Sequence, residues 1–240
     1  ESFMIKMPRG TQDILPQDSA KWRYIENRLH TLMELYNYKE VRTPIFESTE
    51  LFARGVGDST DVVQKEMYTF KDKGDRSLTL RPEGTAAVVR SYIEHKMQGE
   101  PNQPIKLYYN GPMFRYERKQ KARYRQFNQF GVEAIGAENP SIDAEILAMV
   151  MHIYESFGLK HLKLVINSIG DSESRKEYNE ALVKHFEPVI DTFCSDCQSR
   201  LHTNPMRILD CKIDRDKEAV KNAPRITDYL NNDSKSYYEQ

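Results

Sequence analysis

The side chains best suited to chemistry lie between Phe114 and Glu133, in F-R-Y-E-R-K-Q-K-A-R-Y-R-Q-F-N-Q-F-G-V-E. The first half sets Arg115, Arg118, Lys119, Lys121, Arg123 and Arg125 against a single Glu117, in a chain whose net charge is only -1. A guanidinium fork meets phosphate or carboxylate oxygens two at a time, so a nucleotide or another polyanion is the fitting partner. A solvated charged hairpin is the plainer reading of the same run. From Arg125 the residues alternate as a strand does, with Phe130, Val132 and Ala134 on an apolar face. Arg125, Phe127, Gln129, Gly131 and Glu133 make the other face. Gly131 leaves a gap between Gln129 and Glu133, an acceptor-rich hollow beside the arginines that suits a small cationic amine with an anionic neighbour.

Two further sets carry reactive types. In Arg81-Pro82-Glu83-Gly84-Thr85 a carboxylate and a hydroxyl stand at a strand-to-helix junction, placed to hold a ligand ammonium. The same residues serve as a helix N-terminal cap, and from the residues alone the cap is the stronger reading. Cys194, Cys197 and Cys211, with His202 between them, resemble a zinc constellation. Structural zinc usually takes two closely spaced pairs, however, and here the second half is one cysteine and an out-of-step histidine. Small buried thiols, and no metal, are the expectation. Gly55 and Gly57 lie in a loop over 53–65 that lacks the strand–turn–helix setting and the lysine of a nucleotide-binding motif.

The elements that must position these groups follow from periodicity. Lys106-Leu107-Tyr108-Tyr109, ahead of Gly111-Pro112, is the partner strand of the alternating stretch, with the basic run as the hairpin loop. An earlier helix capped by Asp18 or Ser19 carries Trp22, Ile25, Leu29, Leu32 and Tyr36 at helical spacing. A strand over 40–43 ends at Pro44 and belongs at an edge or at a subunit boundary. Strands over 67–71 and 78–80 flank a turn at 72–75. A helix follows Thr85 with Ala86, Val89, Ile93 and Met97 on one face. Asn139 and Pro140 open another carrying Ile142, Ile146, Met149, Ile153 and Phe157, and Leu162, Leu164 and Ile166 alternate as a last strand. Beyond Asp171 the chain has no glycine, and Tyr178, Leu182 and Phe186 mark a polar helix. The fold class is α+β, a mainly antiparallel sheet flanked by helices, over 1–170, with a mostly helical appendage over 171–240.

With 240 residues, 39% of them hydrophobic and 30% charged, the chain can bury a substantial core. Near-neutrality excludes a protein that binds nucleic acid over its whole surface but permits one local basic site. No run is long or apolar enough for a membrane span, no signal segment opens the chain, and three cysteines do not make a disulfide framework, so a cytoplasmic location is expected.

Taken together, Leu78 to Thr85 (L-T-L-R-P-E-G-T), Phe114 to Glu133, and the helix–strand–Pro44 run resemble the bacterial-type histidyl-tRNA synthetases of the class II aminoacyl-tRNA synthetases. They match, in turn, that family's amino-acid-binding motif, its motif 2, and its motif 1, which forms a dimer interface. The resemblance covers nearly the whole chain after residue 4. It implies an ATP-dependent histidine-tRNA ligase that forms histidyl-adenylate and transfers histidine to the 3′ end of tRNA(His), with Mg2+ accompanying ATP. Residue by residue, Glu83, Thr85 and Gln129 would hold the histidine α-amino group, and Glu133 would receive the imidazole. Arg115, the catalytic residue, would bridge the histidine carboxylate and the α-phosphate. Glu117 would meet adenine and Arg123 the γ-phosphate, while Arg118, Lys119 and Lys121 would approach the tRNA acceptor end. Residues 171–240 would begin the insertion domain that rests on tRNA.

The family's second catalytic arginine segment, its motif 3 and its anticodon-binding domain have no counterpart in these 240 residues, and Ala122 replaces a usual glycine. The expectation is therefore an N-terminal part with impaired activity. The alternative is the histidine-sensing, synthetase-like regulatory subunit of ATP phosphoribosyltransferase, which would bind histidine without ATP. A plain RNA-binding module would show steep salt dependence and no amino-acid selectivity.

Overall fold

A computed structural model describes residues 4–56, 66–117 and 123–240, which fall into two compact units. The first comprises residues up to 142 with 148–157, and the second comprises 143–147 with 158–240. No helix among the described residues is long and apolar enough to cross a membrane.

In the first unit Pro16 starts helix α1, Pro16–Leu35, because a residue without an N–H fits the first helical position, where that donor has no partner. Leu15 is the N-cap, so the helix begins earlier than Asp18 or Ser19, and Asp18 sits in the first turn. Asn37, at φ 61, lets the chain turn out of the helix, a conformation asparagine tolerates. Leu29, Leu32 and Met33 face inward, while Ile25 stays on the surface.

Strands β1 (Lys39–Glu40), β5 (Ile105–Phe114) and β6 (Gln126–Ile135) form a sheet in the order β1-β5-β6. β5 and β6 are antiparallel over their whole lengths, and β1 lies parallel to β5 at the edge. The expected end of the partner strand at Tyr109 is corrected: β5 runs on through Pro112 to Phe114. Pro112 is tolerated because β1 pairs only as far as Tyr108, so no strand among the described residues requires a ladder donor from it on that side. The alternation in β6 holds. Phe130, Val132 and Ala134 pack with Leu32, Met33, Tyr38, Tyr108 and Met149, closing the core between the sheet, α1 and α4 (Pro140–Ser156), which Asn139 caps through Ser141 N.

A second sheet, β2-β4-β3, joins β2 (Phe46–Ser48), β4 (Ser77–Leu80) and β3 (Thr69–Lys71), all antiparallel. Asp72 shapes the β3–β4 turn by accepting from the backbone of Gly74 and Arg76. Helix α2, Thr49–Val56, takes up residues 53–56 of the expected loop, and 57–65 lie outside the described residues. Helix α3, Thr85–Glu94, buries Ala86, Ala87, Val88 and Ser91. The expected apolar face holds only at Ala86: Val89 and Ile93 are exposed along a cleft with Leu51 and Arg54 of α2, and Met97 lies beyond the helix end.

The second unit is built on α5, Ser172–Phe186, whose N-terminus Asp171 caps by accepting from Ser174 N. Tyr178, Leu182 and Phe186 meet Phe193, Leu201, Ile208 and Ile226 in its core. The shorter helices α6 (Ser195–Arg200), α7 (Glu218–Lys221) and α8 (Asn232–Glu239) alternate with 3-10 turns. The strand expected over 162–166 does not form. Leu164 and Ile166 are exposed, and no described strand pairs with the segment, so its backbone groups have no ladder to join.

Candidate functional site

The antiparallel register of β5 and β6 sets the floor of the site. Leu107 lies opposite Glu133, Tyr109 opposite Gly131, Gly111 opposite Gln129, and Met113 opposite Phe127, so these eight share one face. The gap at Gly131 is not empty, which corrects the hollow expected there. The Tyr109 ring lies between Gly131 and Gly84, and a methyl on either glycine would overlap it. Two glycines thus admit one aromatic ring, and its hydroxyl donates to Glu133 Oε1 at 3.4 Å. Burial and the adjacent Glu133 charge push the Tyr109 hydroxyl up to about 12, which keeps it a neutral donor.

Thr85, the first residue of α3, reaches the same oxygen: its Oγ1 donates to Glu133 Oε1 at 2.6 Å. Its backbone N–H donates to Glu83 Oε2 at 2.6 Å, and Ala86 N–H to Glu83 Oε1 at 3.0 Å. Glu83 is therefore a helix cap, as the residues alone favoured, and both oxygens are fixed by it. A carboxylate offers about four lone pairs, so capping leaves acceptor capacity toward a ligand. Thr85 thus links two carboxylates, through its hydroxyl to half-buried Glu133 on a strand and through its N–H to Glu83 at a helix N-terminus.

Arg115, just past β5, donates through Nε to the Pro82 carbonyl at 2.8 Å and stacks over Phe127 with its guanidinium carbon 5.4 Å from the ring centre. Its terminal nitrogens have no hydrogen-bond partner among the described residues, so they are the groups available to an anion. Arg123 Nη1 lies 3.8 Å from Glu117 Oε2. Arg125 donates to the Glu117 carbonyl at 3.3 Å and covers the Tyr116 ring. The lead-in also closes on this hairpin: Gly10, at φ +83, accepts from Arg125 N–H at 2.8 Å, and an added methyl would come within 2.6 Å of the Arg125 side chain.

The structure thus joins Glu83, Thr85 and Glu133 directly, sets Gln129 on the same face, and holds Arg115, Glu117 and Arg123 at the loop end of the hairpin. Arg118, Lys119 and Lys121 lie outside the described residues. Reading the sequence missed Tyr109 and Arg81. For Tyr109 the signal was present, since two glycines face an aromatic residue in a predictable register. Arg81 gave none. Buried to 6% exposure, it donates to the carbonyls of Pro112 at 2.8 Å and Thr43 at 3.1 Å, tying the ends of three segments together beneath the site.

The family model "Histidyl-tRNA synthetase" matches residues 10–171. A histidine–tRNA ligase of Staphylococcus epidermidis (strain RP62A) is 99% identical over 237 residues, which are 99% of this chain and 56% of that protein. The chain therefore spans about half the length of the curated relatives it matches. Apo histidyl-tRNA synthetase of Staphylococcus aureus superposes with a TM-score of 0.76 at 76% identity, over 98% of this chain and 53% of that one. An ATP phosphoribosyltransferase regulatory subunit/histidyl-tRNA synthetase of Bacillus halodurans shares the fold, with a TM-score of 0.65 at 20% identity, over 100% of this chain and 65% of that one.

Proposed function

This chain belongs to the histidyl-tRNA synthetase family, and on that premise we propose that its first unit is the histidine- and ATP-binding part of a histidine-tRNA ligase. The observation that supports this most is the hydrogen-bonded run Glu83–Thr85–Glu133. Histidine carries two donor groups, an ammonium and an imidazole N–H, and this run offers an acceptor for each. Because the Thr85 hydroxyl donates to Glu133, its oxygen presents lone pairs outward, and with Glu83 and the Gln129 amide oxygen it receives the ammonium. Glu133, steadied by Thr85 and Tyr109, receives the imidazole N–H.

Activation brings two anions together. The histidine carboxylate attacks the α-phosphorus in line and pyrophosphate departs, so neutralisation and positioning are the catalytic needs. Arg115 suits both. Its Nε is held by Pro82, which leaves the terminal nitrogens to bridge carboxylate and α-phosphate. Glu117 meets adenine and Arg123 the γ-phosphate once ATP separates the pair they form with each other. Magnesium would arrive on the ATP phosphates. Among the described residues no group of three or more His, Cys, Asp and Glu side chains that could cage an ion includes any residue of this site. Transfer to the 3′ end of tRNA(His), with Arg118, Lys119 and Lys121 at the acceptor end, and a homodimer formed through the motif 1 region complete the proposal. Adenylate formation by these 240 residues alone is expected to be weak, because motif 2 supplies only one of the two arginines the resemblance calls for.

The test is calorimetric titration with histidine and then ATP. Selective histidine binding that falls about 10- to 100-fold in Glu133→Ala, the loss expected for a hydrogen bond to a charged group, supports the assignment. Equal histidine affinity in folded wild type and variant overturns it.

A further inference from the structure

The second unit holds a cluster that the histidine and ATP chemistry does not use. Cys194, Cys197, Cys211 and Asp214 bring one ligand atom each to within 4.8 Å of one another. Cys197 is fully buried, Cys211 and Asp214 nearly so, and Cys194 half-buried. Cys194 Sγ lies 3.7 Å from Cys211 Sγ, and Cys211 Sγ lies 3.7 Å from Asp214 Oδ2. With zinc–sulfur bonds of about 2.3 Å, a tetrahedron has sulfur–sulfur edges of about 3.8 Å. The Cys194 and Cys211 sulfurs therefore stand at the spacing of two ligands around a single ion, well beyond the roughly 2 Å of a disulfide, and Cys197 brings its ligand atom within 4.8 Å of both.

The backbone is shaped in the same sense. The N–H groups of Ile213 and Asp214 donate to the Cys211 sulfur, and that of Cys197 to the Cys194 sulfur, so backbone donors help fix where two of the sulfurs point. Asp214 Oδ2 accepts from Cys194 N–H at 2.9 Å, and Oδ1 lies 3.2 Å from Lys217 Nζ, so both oxygens are oriented. Sequence spacing alone looks for a second cysteine pair. The chain supplies C-x-x-C at 194–197 and C-x-x-D at 211–214, with the carboxylate where the fourth sulfur would be. His202 is exposed and stands outside the cluster.

We propose that Cys194, Cys197, Cys211 and Asp214 form a structural zinc site. Three sulfurs and one oxygen gathered within 4.8 Å suit zinc better than the harder, oxygen-seeking cations, and four protein ligands leave no open position for catalysis. Binding replaces the three thiol protons by one divalent ion, and Lys217 offsets part of the anionic charge that remains. The stabilising role follows from the setting. The ligands come from the start of α6 and from a stretch of turns after Ile208, and Cys197 and Cys211 belong to the unit's core. A small unit of short helices and turns gains more from an ion joining two such segments than a large core would. The inference is independent of the proposed histidine site, whose residues all lie in the first unit.

The test is metal analysis of the full chain purified from zinc-supplemented culture, followed by exchange with cobalt(II). About one zinc per chain is expected, with thiols silent to a thiol reagent until a chelator is added, and with the ligand-field spectrum of tetrahedral thiolate-bound cobalt. Cys197→Ser should lose the metal, and His202→Ala should keep it. Since Cys197→Ser could unfold the unit, Asp214→Cys is the second variant: it should retain zinc and strengthen the sulfur-to-cobalt absorption. Three freely reactive thiols with no zinc bound in competition with a chromophoric chelator would overturn the proposal. So would a Cys194–Cys211 disulfide in protein prepared without oxidant, or an unchanged cobalt spectrum in Asp214→Cys.

Discussion

Thr85 sits where two demands on the chain meet. Its N–H must be capped as part of a helix start, and its hydroxyl must hold a carboxylate from a strand. Tyr109 does the second task from the opposite side, and its environment makes that measurable. The hydroxyl ionises near 10 in an unfolded chain and at about 12 here, with burial first and the Glu133 charge second among the causes. Below pH 10 both states are neutral and the contribution is fully present. Between 10 and 12 the unfolded chain loses a proton that the folded one keeps, so stability falls as pH rises. Tyr108 shows a similar rise to about 12. Tyr109→Phe should therefore flatten part of the alkaline loss of stability in denaturant titrations at stepped pH. A slope identical to wild type would show that the raised value is not expressed in stability.

At the scale of elements, Arg81 carries more than its position at the end of β4 suggests. Its backbone N–H donates to the Ile45 carbonyl and its own carbonyl accepts from Phe114 N–H, each at 2.9 Å, which joins the strand ends of the two sheets. The side chain adds Pro112 and Thr43 and fills the space over Gly111, where a methyl would come within 2.5 Å of it. Arg81→Met leaves buried carbonyls without their donor, and should cost about 3 kcal/mol in chemical unfolding at neutral pH. A loss under about 0.5 kcal/mol would mean that water replaces the guanidinium. The β5–β6 hairpin was legible in the sequence because alternation over Phe130, Val132 and Ala134 is a local property. Arg81 was not, because an arginine's burial depends on carbonyls supplied by segments far away in the chain. The same limit applies to α3: which of its faces is covered is decided by segments far away in the chain, and the helix buries Ala86, Ala87, Val88 and Ser91 while Val89 and Ile93 stay outside.

At the scale of the molecule, each unit has a core of its own. The helical character of the later residues was readable from the spacing of Tyr178, Leu182 and Phe186, since period alone places them on one face. Asp214 was hidden because an aspartate reads as solvent-exposed until the turn that buries it is known. Leu182, with no exposed surface, anchors the second core. Leu182→Ala should cost about 3 kcal/mol as a cavity forms, read as a lower denaturant midpoint for that unit. Histidine titration should be unchanged, because the proposed binding residues belong to the first unit. Lost histidine binding would show that the units fold as one. The segment that fails to become a strand has a different consequence, for handling the protein. Leu162, Leu164, Val165, Ile166 and Ile169 expose apolar side chains on backbone that makes no ladder among the described residues. That combination is a template for edge-to-edge pairing between copies. Concentrated solutions should aggregate through it, and Val165→Lys, at a position 75% exposed, should act as a gatekeeper charge, raising the concentration at which light scattering appears without moving the unfolding midpoint.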